Sequence, residues 1–117
     1  MKYALLIYGN SDVLGTWSEV DRERVNAAIA EVVARPEVPG YLRLQAAGSA
    51  TTVRSEQGRT LLTDGPFVDS KDFLGGFILV ESENLDGAIA LADELQQLWM
   101  GGAIEVRPVN EEPLVRA

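Results

Sequence analysis

Two stretches of this chain are apolar on both sides of an extended strand. In residues 2–8, KYALLIY, Tyr3, Leu5 and Ile7 would face one way and Ala4, Leu6 and Tyr8 the other. In residues 75–81, GGFILVE, Phe77 and Leu79 oppose Ile78 and Val80. A strand of this kind has to be covered on both faces. The chain must therefore fold around two central strands, with other material above and below them.

The remaining segments supply one of those covers. Ser18-Glu19-Val20-Asp21 resembles a capping box with Asp in the usual Glu position, and Val25, Ala28, Ile29, Val32 and Val33 then recur on one helical stripe. Pro36 and Pro39 end that helix. Tyr41 to Ala46 alternates as a half-polar strand, and TTVRSEQGRTLL reads as a hairpin around Glu56-Gln57-Gly58. Asn84 is a suitable N-cap for a second helix bearing Leu85, Ala88, Ile89, Ala92 and Leu95, with Gly101 and Gly102 as its stop and Trp99 and Met100 packing its end. AIEVRPV closes the chain as another half-polar strand. The order is β-α-β, an inserted β-hairpin, then β-α-β: an α+β, ferredoxin-like βαββαβ fold as one domain over residues 1–117. Two helices cover only one sheet face, so the expected cover for the other is a second copy, giving a homodimer joined through the sheet face.

Composition narrows the chemistry. With no Cys and no His among 117 residues, disulfides, thiolate catalysis, His-centred triads and Cys- or His-ligated metals are excluded; no metal or cofactor is expected, and any general base must be Asp, Glu, Lys or Tyr. The net charge of −8 opposes binding to phosphate backbones and anionic membranes. The apolar N-terminal run is too short to span a bilayer, and a cytoplasmic protein that binds neither nucleic acid nor membrane is expected.

The candidate functional residues cluster in TDGPFVDSKDFLGGF, residues 63–77. Asp64 has two readings: a general base assisted by Lys71, or an Asx turn whose carboxylate accepts from the next amides while Gly65 and Pro66 shape the corner. Phe67 would anchor that turn or meet a ligand. Lys71, between Asp69 and Asp72, would either hold an anion or pair with those acids on the surface. Gly75 and Gly76 lack the helix context of a dinucleotide loop and read as a bulge or tight corner. Tyr8, Arg43 and Arg107 are strand-borne groups suited to binding if they converge on one cavity. Parity alone does not say which face each occupies.

Asp64 to Phe67 (DGPF), Lys71 flanked by acids, Leu74 to Phe77 (LGGF), the opening MKYALLIYG and the closing AIEVRPV together resemble the YCII-related, or DGPF-domain, proteins. The resemblance implies a dimeric α+β barrel. It implies little about activity: most members have none assigned, some are encoded beside extracytoplasmic-function sigma factors, and the related chlorohydroxyquinol dehydrochlorinase carries out small-molecule elimination. The His-Asp dyad associated with the wider group has no counterpart in a chain without histidine. The function expected is a small homodimeric module that binds a small molecule or regulates a partner. The alternative is a cofactor-independent lyase or isomerase acting on a small aromatic or acidic metabolite, with Asp64 as base.

Overall fold

Strand β1 (Lys2–Asn10) runs through the middle of a four-stranded antiparallel sheet, paired on one side with β5 (Asp72–Glu81) and on the other with β6 (Ala103–Pro108); β2 (Gly40–Arg43) pairs with the far edge of β5. The order β2-β5-β1-β6 puts the two doubly apolar strands at the centre and the two half-polar ones at the edges, as a ferredoxin-like fold requires. A separate two-stranded ladder, β3 (Thr51–Glu56) with β4 (Arg59–Asp64), forms the inserted hairpin. Gln57 and Gly58 both adopt positive φ at its tip, the twist that suits a two-residue hairpin loop. This computed structural model describes residues 1–98 and 101–114. The expected helix-end packing of Trp99 and Met100 lies outside the described residues.

Helices α2 (Glu19–Val33) and α3 (Leu85–Leu98) lie on one face of the sheet. The capping box forms: Asp21 N–H donates to Ser18 Oγ at 3.1 Å and Ser18 N–H donates to Asp21 Oδ2 at 3.0 Å. Asn84 caps α3, its side-chain oxygen accepting from Gly87 N–H at 3.0 Å. Val25, Ile29 and Val32 of α2 meet Leu5, Ile7, Ile78 and Val80 of the sheet in a dry core. On α3 the buried stripe is Ala88, Leu91, Ala92 and Leu95, rotated away from the expected one, so that Leu85 and Ile89 are about half exposed.

Parity is resolved by this packing. Tyr3, Leu5 and Ile7 are the helix-facing set and are nearly fully buried, whereas Ala4, Leu6 and Tyr8 point to the open face and are only half-buried. Leu42, Phe77 and Leu79 share that open face through their cross-strand register with Leu6 and Ala4.

Two segments depart from the expected outline. The loop after β1 contains a one-turn helix, α1 (Ser11–Leu14), because Asn10 Oδ1 accepts from the amides of Asp12 and Val13 at 3.1 and 3.3 Å. Strand β2 ends at Arg43 instead of reaching Ala46. The β1–β5 register shifts between Ile7 and Tyr8, where Gly75 is the extra residue of a bulge, and after the Leu44 N–H to Gly75 O bond of 2.8 Å the chain leaves the sheet for a short 3-10 turn at Ala47–Ser49.

Candidate functional site

The bulge at Gly75 builds the site. Along β5, Leu74 has the same parity as the helix-facing Ile78 and Val80; the extra residue turns it over and sets it opposite Tyr8 on the open side of the sheet. Phe73 turns the other way and packs its ring against Gly9, where a Cβ would come within 2.9 Å of it. Gly76 is demanded by close approach, since a Cβ there would collide with the carbonyl oxygen of Leu42.

Between Tyr8 and Leu74, the 44–50 loop and the 66–68 turn lies a cleft of about 680 Å³. Its apolar wall is made by Leu44, Pro66, Phe67, Val68, Phe73 and Leu74, with Ala46, Ala47 and Ala50 at its base. Tyr8, Gln45, Ser49 and Asp72 supply polar groups. The volume falls within the range of small-molecule sites, and the mixture of aromatic wall and few polar groups is their usual composition.

The turn at residues 64–67 is held by its backbone. Gly65, with φ of 103°, donates its N–H to Ala50 O at 2.7 Å and accepts from Thr52 Oγ1 at 2.7 Å. Among the described residues no donor reaches the Asp64 carboxylate, so the side-chain contacts of the expected Asx turn are absent. The first donor such a turn would use, Gly65 N–H, is given to Ala50 O instead, and Asp64 itself pairs across the ladder with Thr51. The turn's result is to place Pro66 and Phe67 on the cleft while Asp64 stays on the exposed end of β4 and does not line it.

The other singled-out residues divide by location. Tyr8 and Phe67 come together in the cleft. Lys71 donates to Asp12 Oδ2 at 2.9 Å on the surface and pairs with neither flanking acid; Asp69 is exposed and outside the cleft lining. Asp72 accepts at 2.9 Å from Asn10 Nδ2, tying the cap of α1 to the start of β5. Arg43 points to the helix side, where it donates to Asn26 Oδ1. There, with Arg22, Trp17 and Phe73, it lines a smaller cleft of about 360 Å³. Arg107 is engaged by Glu105. Leu44, Phe73 and Leu74 were not among the expected site residues, and Asp72 was singled out only as a neighbour of Lys71; the signal that would have pointed to Phe73 and Leu74 is the parity break imposed by Gly75-Gly76.

Among the described residues no group of three or more acidic side chains is arranged to hold a metal ion, and no helix is long and apolar enough to cross a membrane. The family model of the YCII-related domain matches residues 1–113. The chain belongs to the YCII-related family. An uncharacterised protein of Rhizobium meliloti (strain 1021) is 35% identical over 114 residues, which are 93% of this chain and 92% of the relative. The family match spans the sheet, both long helices and the hairpin, so the cleft belongs to the YCII-related domain itself.

Proposed function

We propose that this YCII-related protein is a homodimeric module that binds a small apolar molecule in the cleft between Tyr8, Phe67 and Leu74. The observation that carries the reading is the cleft: about 680 Å³, walled by aromatic and aliphatic side chains, at the point where a bulge and a glycine turn re-aim side chains from two strands into one space. Asp64 and Lys71, the pair that would have supplied acid-base chemistry, stand outside it, which favours binding over catalysis at this position.

The homodimer is supported by the open sheet face. Leu42 is 55% exposed there, and Leu6, Phe77 and Leu79 lie beside it on the face away from α2 and α3. A contiguous apolar surface of this kind on a sheet is normally covered. A second copy would cover it with the same surface, by two-fold symmetry, and in a cytoplasmic dimer of this kind the cleft would lie at the end of the interface.

The test is ligand binding with the cleft filled. Leu74→Trp is expected to abolish saturable uptake of an uncharged aromatic probe such as 2-naphthylmethanol, measured by calorimetry, while the far-ultraviolet circular dichroism spectrum stays the same. Equal uptake by the variant would refute the assignment.

A further inference from the structure

Accepting the cleft as the binding site, we infer that its ligand class is an apolar molecule carrying no negative charge, for which a cationic nitrogen is the best head group. Asp72 is the charged residue among those lining the cleft. Its Oδ1 accepts from Asn10, which holds the carboxylate in place and leaves acceptor capacity for a ligand. Three cations that could have served an organic acid are directed elsewhere, which leaves Arg54, outside the lining and stacked on Phe67, as the cation nearest the cleft. Lys71 is bound to Asp12, Arg107 to Glu105, and Arg43 to Asn26 on the helix side, behind Phe73 and Ala46.

The aromatic wall points the same way. Ring faces attract cations and repel anions; the Phe67 ring is already engaged by the Arg54 guanidinium 5.8 Å from its centroid, so the rings left for a ligand are those of Tyr8 and Phe73. The long-range field agrees, since a net charge of −8 raises the local concentration of cations and lowers that of anions. Gln45 and Ser49 serve as polar partners for a neutral head group equally well.

The experiment compares one ring system with three heads: 2-naphthylmethylammonium, 2-naphthylmethanol and 2-naphthoate, titrated calorimetrically into the full-length protein at low ionic strength. The ammonium is expected to bind at least as tightly as the alcohol, and both roughly tenfold more tightly than the carboxylate. Raising salt to about 0.5 M should narrow that gap. Asp72→Asn should weaken the ammonium roughly fivefold more than the alcohol; if that variant does not fold, an ammonium preference over the alcohol that persists in the unaltered protein at about 0.5 M salt, where the long-range field is screened, supports a contact in the cleft, and its complete loss there overturns it. Carboxylate binding as tight as that of the ammonium, abolished by Leu74→Trp, would overturn the ligand class and leave the cleft assignment standing. Carboxylate binding that survives Leu74→Trp and is lost in Arg43→Gln would move the site to the smaller cleft and overturn both. Absence of binding by all three probes also overturns both.

Discussion

At Gly76 a single hydrogen atom is all the space allows. A methyl group there meets the Leu42 carbonyl, part of the backbone of the neighbouring strand, and cannot be relieved by a side-chain rotation. Gly76→Ala is therefore expected to destabilise the fold by about 1–3 kcal/mol in urea denaturation. Its neighbour behaves differently: a Cβ on Gly75 would be 3.6 Å from Ile7 O, an ordinary contact, so Gly75→Ala should be close to neutral. The adjacent glycines thus separate into a steric requirement and a bulge position. Asp64 gives a third residue-scale expectation. With no donor on its carboxylate among the described residues, Asp64→Asn should change stability by less than about 0.5 kcal/mol, and an intact urea midpoint would confirm that the turn is held by Gly65 and Thr52.

The helical layer is fastened at both ends of α2. Ser18 and Asp21 close its N-terminus, and Ser18→Ala should cost about 1 kcal/mol, read as a fall in the urea midpoint. Just beyond its C-terminus, Arg35 bridges Glu31 at 2.8 Å and Glu94 of α3 at 2.6 Å, joining the two helices. Hydrogen bonding to the Arg35 guanidinium holds the Glu94 carboxyl below its ordinary value of 4.5, and hydrogen bonds from the Ser18 backbone and side chain hold Asp21 below 3.8. Both groups are more acidic folded than unfolded. Their contribution is complete above the unfolded values and is lost as pH falls through the lower folded ones. The melting temperature should therefore level off above about pH 5 and fall below pH 4.5, with a shallower acid limb in Glu94→Gln; a limb of equal depth would show that the bridge does not stabilise the folded state.

Seen whole, the molecule is a slab 19 Å thick with a radius of gyration of 16.5 Å, against about 13 Å for a compact domain of similar length. Its most exposed element is the β3–β4 hairpin, where Val53 and Leu62 face each other while remaining 66% and 70% exposed. Two strands alone are marginally stable in water. Together with the open sheet face, this makes the proposed dimer the state in which both surfaces would be used. Phe77→Glu places a charge in the middle of that face; the proposal predicts a dimer for the unaltered protein and monomers for the variant in sedimentation equilibrium. A monomeric unaltered protein would remove the second copy from the proposal.

The order of elements, the central position of β1 and β5, the capping box and the hairpin were legible in the sequence, because each rests on local rules: parity, capping chemistry and turn residues acting over a few neighbours. The shorter β2 was not, since it depends on a contact with Gly75 of a distant strand; the α1 turn, although its Asn10 cap is local, was read only as part of a turn-rich loop because four residues show no helical periodicity. The cleft was visible only in part. Tyr8 and Phe67 could be picked out as amphipathic or apolar groups at suggestive positions, but Asp64, Lys71, Arg43 and Arg107 were grouped with them by chemistry alone, and chemistry carries no direction. Which parity of β1 meets the helices, where the bulge sends Leu74, and that Asp12 claims Lys71 are decided by packing between segments dozens of residues apart. The sequence determined a sheet with two faces to cover; only the tertiary structure decided which face the helices took and what cleft was left beside the other.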